Sequence, residues 1–64
     1  MKRIDLHLSE NGWVANFVGD EEVRRNFGTT VIPTAFTAYA DPQRVLQAIR
    51  QLNPGADVRL VNKV

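Results

Sequence analysis

The sequence predicts an α+β two-layer sandwich. Its sheet is antiparallel-rich, of about four strands in the order β-β-(α)-β-α-β, with a helix over residues 42–52 on one face. Three observations predict it. Residues 2–9 (KRIDLHLS) alternate polar and apolar, the period of a half-buried strand. Asn11-Gly12 then separates that run from a second one, a strong hairpin signal. Finally, Val45, Ile49 and Leu52 recur at i, i+4 and i+7 in DPQRVLQAIRQL, with Leu46 and Ala48 widening the stripe. A helix of this length is too short to persist alone in water, so it must lie on the sheet.

In strand one Ile4, Leu6 and Leu8 face one way, and Arg3, Asp5, His7 and Ser9 the other. A two-residue turn at Asn11-Gly12 sets Glu10 opposite Trp13, Leu8 opposite Ala15 and Leu6 opposite Phe17. On the other face Ser9 meets Val14, His7 meets Asn16 and Asp5 meets Val18. Residues 19–28 (GDEEVRRNFG) read as a short helix. Asp20 caps it, Glu21 and Glu22 occupy the positive first turn, Arg24 and Arg25 lie toward the negative end, and Gly28 stops it. Val23 and Phe27 are its i, i+4 anchors.

Residues 29–40 (TTVIPTAFTAYA) are the least regular. Pro33 cannot donate to a ladder and marks an edge, a bulge or a strand start. The best strand there is 34–39, with Phe36 and Ala38 on one face. Asp41 caps the main helix, Pro42 suits its first turn, and Asn53-Pro54-Gly55 ends it. Residues 57–63 close the chain as a strand, Val58 and Leu60 inward, Arg59 and Val61 outward. The expected core is Ile4, Leu6, Leu8, Ala15, Phe17, Phe27, Phe36, Val45, Leu46, Ile49, Leu52, Val58 and Leu60.

Sixty-four residues make one domain, and a chain this short buries only about 60% of its unfolded surface. It has no Cys, hence no disulfide and no thiolate metal site, which shifts weight toward self-association as a source of stability. Eight basic and seven acidic residues give a net charge of +1, no strong field for nucleic acid or an anionic membrane. No stretch has the length of a membrane span and no apolar signal segment opens the chain, so a cytoplasmic location is expected.

Catalysis is not expected. The one His, His7, has Asp5 two residues before it, a pair able to orient an imidazole for base work; an exposed surface histidine is the favoured reading. The four glycines fall at turns and caps, not in a phosphate loop, and no cofactor or metal is expected. The expected working surface is one for binding. Val14 and Val18 on the polar face form a candidate self-association patch, which makes a homodimer the first partner, followed by an unidentified protein. Arg24, Arg25, Arg44 and Arg50, with Arg59 and Lys63, are the alternative: a nucleic-acid surface with Trp13 and Tyr39 as stacking faces. Residues 29–37 either plug the sheet edge, the favoured reading, or accept a partner strand.

Two stretches together resemble the HicB-type antitoxin family. They are Trp13-Val14-Ala15-Asn16-Phe17 and the run from Thr37-Ala38-Tyr39-Ala40-Asp41-Pro42 to Ala48-Ile49, similar to that family's strand, small residue, Asp cap and helix. The resemblance covers about half the chain and implies a β-β-β-α-β domain that binds and blocks a small toxin ribonuclease. Residues 19–33 depart from it as an insertion, and the DNA-binding segment often attached to such antitoxins has no counterpart.

Overall fold

The computed structural model describes residues 2–61. Strands β1 (Arg3–Ser9) and β2 (Gly12–Val18) form the hairpin, followed by helix α1 (Glu21–Phe27), strand β3 (Val31–Pro33), helix α2 (Pro42–Leu52) and strand β4 (Asp57–Leu60). The sheet is ordered β3-β2-β1-β4. β1–β2 and β2–β3 are antiparallel and β1–β4 is parallel. The chain therefore leaves one sheet edge at β3, crosses over as α2, and returns at the opposite edge. Such a parallel return requires a crossover connection, and the helix provides it.

The expected α+β architecture with a helix on the sheet is what the chain adopts. Its hairpin register is two residues away from the expected one. Leu8 pairs with Trp13, Leu6 with Ala15, Ile4 with Phe17 and His7 with Val14. A shift of two keeps every side chain on its face, because the strand period is two. The turn falls on Glu10-Asn11, and Gly12, at φ 122°, takes the left-handed conformation. A Cβ on Gly12 would lie 2.6 Å from the Phe36 carbonyl oxygen, so the backbone of 36 approaches as only glycine permits.

The core lies between α2 and one sheet face: Ile4, Leu6, Trp13, Ala15, Val45, Leu46, Ile49 and Val58, with Phe17 and Phe36 packed partly against it. Trp13 was not expected there. The shifted register carries it from the hairpin tip into the sheet, where its indole N–H donates to the Ala40 carbonyl at 3.3 Å. Leu8, Phe27, Leu52 and Leu60, expected in the core, are exposed. Leu52 is the last residue of α2, beyond the stripe of Val45, Leu46 and Ile49 that the helix buries, and α1 buries none of its own residues.

The expected strand over 34–39 is absent; the third strand is Val31–Pro33. Threonines explain the change. Thr34 Oγ1 accepts from Phe36 N–H and donates to the Trp13 carbonyl at 2.7 Å, while Thr37 Oγ1 accepts from Tyr39 N–H. Local hydroxyl bonds of this kind compete with a ladder and curl the chain. Trp13 fixes the curl, donating its own N–H to Phe36 O and accepting from Thr34 N–H. The last strand stops at Leu60 rather than continuing; positions 62 and 63 of the expected strand lie outside the described residues.

Candidate interaction surface

The curling of residues 34–40 leaves an apolar groove beside α2. Ala15 and Phe17 of β2, Ile32 of β3, Phe36, and Ile49 and Leu52 of α2 line a volume of about 270 Å³, with Thr34 and Asn53 as its polar margin. Phe17, Phe36 and Leu52 were expected to be core. They line this groove instead because no fourth strand residue pairs beyond Pro33 to carry the sheet under the end of α2. Leu52, 75% exposed, forms the rim. A concave apolar surface with aromatic walls is the usual form of a binding site, and nothing in the sequence periodicity marks it.

The sheet face away from α2 holds the expected patch. Val14 and Val18 lie there with Val31 and Pro33, since Val14 pairs with Pro33 and Asn16 with Val31. Its other half is charged. Arg3 bonds Asp5 at 2.9 Å and Arg59 bonds Asp57 at 2.7 Å, and the strand register sets Arg3 beside Asp57 and Asp5 beside Arg59. The Arg59 guanidinium holds the Asp57 carboxyl below the ordinary aspartate range; partial desolvation opposes this, and Arg3 and Arg50 add to it. His7 sits in the middle of this face and is only 7% exposed, against the expected surface histidine. Its strand is central, so Val14 flanks it on one side. On the other is Val61, whose N–H donates to Leu6 O. Apolar flanks make this a packed histidine rather than one half of a solvated pair with Asp5, whose carboxylate is taken by Arg3.

The β3 edge offers few free backbone donors. Phe17 N–H donates to Thr30 O and Thr34 N–H donates to Trp13 O, so alternate residues face β2 and the backbones of Val31 and Pro33 face outward. Val31 N–H is bonded by Thr29 Oγ1 at 3.1 Å, and Pro33 has no N–H. Such an edge resists strand addition. At the other edge Val58 is 3% exposed as a whole residue, backbone included, with α2 close against its strand. Of the residues expected to plug the edge, Val31 is 42% exposed, Ile32 is half-buried and Phe36 lines the groove.

The arginines do not gather. Arg24 and Arg25 ride on α1, where Arg24 lies 3.9 Å from Glu21. Arg50 lies on the β4 side of α2, near enough to Asp57 to influence it. Arg44 borders a shallow depression with Asp41, Gln43, Gln47, Ala48 and Gln51. Tyr39 is almost fully exposed at a turn, and Trp13 is buried, so the two expected stacking faces are not paired. Lys63 lies outside the described residues. Among the described residues no three His, Cys, Asp or Glu side chains come together as a metal site, and no helix is long and apolar enough to cross a membrane.

The fold is a small α+β domain with an open apolar groove beside α2. Comparisons with protein-family models, with curated proteins and with solved structures each found no match.

Proposed function

We propose that the chain is a non-enzymatic protein-interaction module, working in the cytoplasm, whose main contact surface is the groove between α2 and β3. The observation that carries this reading is the groove itself: eight apolar residues around a concave volume, two of them phenylalanines, with no charged group in the wall. Desolvated pockets of this kind receive the anchor side chains that dominate protein interfaces. The Val14, Val18, Val31 and Pro33 patch is the secondary surface. The resemblance to HicB-type antitoxins gives the reading one concrete form, with a small toxin ribonuclease as partner.

The test places a photo-crosslinking residue at Leu52, on the groove rim, or at Gln47, on the outer face of α2. Discrete protein adducts in the native cell from position 52 and none from 47 are expected. Adducts from neither position overturn the proposal.

A second reading rests on α2. Beyond its Asp41 cap the outer face carries Gln43, Arg44, Gln47, Arg50 and Gln51, two cations and three amides without a carboxylate. Phosphate contacts through Arg44 and Arg50 would give an affinity for RNA or DNA that falls steeply with salt. Fluorescence anisotropy across a salt series checks it, and an unchanged or absent signal removes it.

A further inference from the structure

Four asparagines lie among the described residues, and one of them is placed unlike the rest. The Asn16 carboxamide, in β2, accepts from Thr30 Oγ1 at 3.1 Å. Asn53 donates its side-chain N–H to Ile49 O, and Pro54 follows it. Asn26 lies inside α1, before the bulky Phe27. Asn11 stands exposed at the tip of the hairpin, and Gly12 follows it. Its backbone N–H is bonded by Ser9 Oγ, which donates in turn to Gly12 O. Among the described residues its carboxamide has no hydrogen-bond partner.

Gly12 matters for chemistry as well as for packing. A backbone amide nitrogen attacks the side-chain carbonyl of the preceding asparagine only where the two can meet. A Cβ on the attacking residue crowds that approach, and glycine has none. After Asn16 and Asn26 the next residue is phenylalanine, and strand pairing or helix bonds fix the backbone. After Asn53 it is proline, whose nitrogen carries no proton to give up. The Ser9–Gly12 pair is the last of the β1–β2 ladder, and a terminal pair opens at the least cost.

We propose that Asn11 is a site of spontaneous modification, converted to isoaspartate and aspartate. Hydroxide takes the Gly12 amide proton, and the nitrogen forms a bond to Asn11 Cγ. The carboxamide C–N bond breaks. Ammonia leaves, taking a proton from water and so returning the hydroxide, and a five-membered succinimide remains. Water then opens the ring. Cleavage between the Gly12 nitrogen and Cγ gives aspartate. Cleavage at the main-chain carbonyl gives isoaspartate, in which the backbone runs through the side chain. Either product sets a new carboxylate beside Glu10 and lowers the net charge of +1 by one. Isoaspartate also lengthens the backbone by one carbon just before Gly12. The fold has no slack there: a Cβ on Gly12 would lie 2.6 Å from Phe36 O, and Trp13 N–H bonds the same oxygen at 3.0 Å. Isoaspartate at position 11 therefore loosens the contact that holds residues 34–40.

The full chain, kept folded at neutral and at mildly alkaline pH beside a urea-unfolded sample, tests this by peptide mass spectrometry. Residue 11 is expected to gain the mass of an amide turned carboxylate at least about tenfold faster than residue 16, 26 or 53. The rate rises with pH, and electron-transfer fragmentation shows isoaspartate. Asn11→Gln, which would need a six-membered ring, folds and stays unchanged. Folded protein that keeps Asn11 after the unfolded chain has converted overturns the proposal, as does equal conversion at residue 16 or 26. The isoaspartate form is then isolated by ion exchange and melted in urea. Its midpoint is expected below that of Asn11→Asp, which carries the charge without the extra carbon. Coincident midpoints overturn the effect on the Phe36 contact.

Discussion

Trp13 does more for this fold than any other single residue. Its indole is buried and tied to Ala40, its N–H bonds Phe36 and its carbonyl receives two bonds from Thr34. Gly12 makes that approach possible. Gly12→Ala is expected to cost about 1–3 kcal/mol, since it combines an unfavourable φ with a backbone contact. Gly19→Ala, also at positive φ but with open space around its Cβ position, costs less; urea melts of both variants compare them. Asp20 supplies a pH dependence. Its carboxyl lies below the ordinary aspartate value, chiefly because Val23 N–H donates to it, with Lys2 3.6 Å away; desolvation opposes the shift. A depressed folded value means that the ionised form favours the folded state. That contribution is present above the ordinary aspartate value, near 4, and is lost as pH falls through the folded value. Asp20→Asn keeps a capping acceptor without the charge, so stability measured against pH should decline less steeply below that range.

Elements differ in how local their causes are. Both helices were legible in the sequence, because a cap, a first-turn proline or acid pair, and a stop lie within a dozen residues. The hairpin was legible too, and its two-residue register error is of the kind that alternation cannot detect. The third strand was not legible. Residues 34–39 have strand-like composition, but two threonine hydroxyls turn the backbone, and Trp13, distant in sequence, holds it there. Thr34→Val is therefore expected to cost about 1–3 kcal/mol, as the Trp13 carbonyl and Phe36 N–H lose a partner, whereas Thr37→Val stays within about 0.5 kcal/mol. Thermal melts of the pair decide it. Equal small effects would mean that the hydroxyl of Thr34 is not what curls this segment.

At the scale of the whole molecule the core is small. At the usual stability per residue, a chain of 64 residues has roughly 3–10 kcal/mol in all. Ile4, fully buried between strands and α2, should lose about 2–5 kcal/mol on truncation to alanine, most of what the domain has. Phe27→Glu should change monomer stability by no more than about 0.5 kcal/mol, although sequence spacing assigned both residues to the core. Chemical denaturation of the two variants separates core from surface directly. An Ile4→Ala protein that melts like the wild type would contradict the packing described above.

Within the sequence alone lay the α+β class, the hairpin, both helices with their caps, and most of the buried residues of β1, α2 and β4. These follow from periodicities and cap chemistry that act over a few residues. Only the tertiary structure decided the strand order, the parallel return of β4, the burial of Trp13 and His7, and the outward-facing backbone of Val31 and Pro33 at the β3 edge. It alone decided that Phe17, Phe36 and Leu52 line an open groove while Phe27 stands in solvent. Periodicity states that a side chain is apolar and which face it takes; whether another element reaches far enough to cover it depends on contacts between residues far apart in the chain.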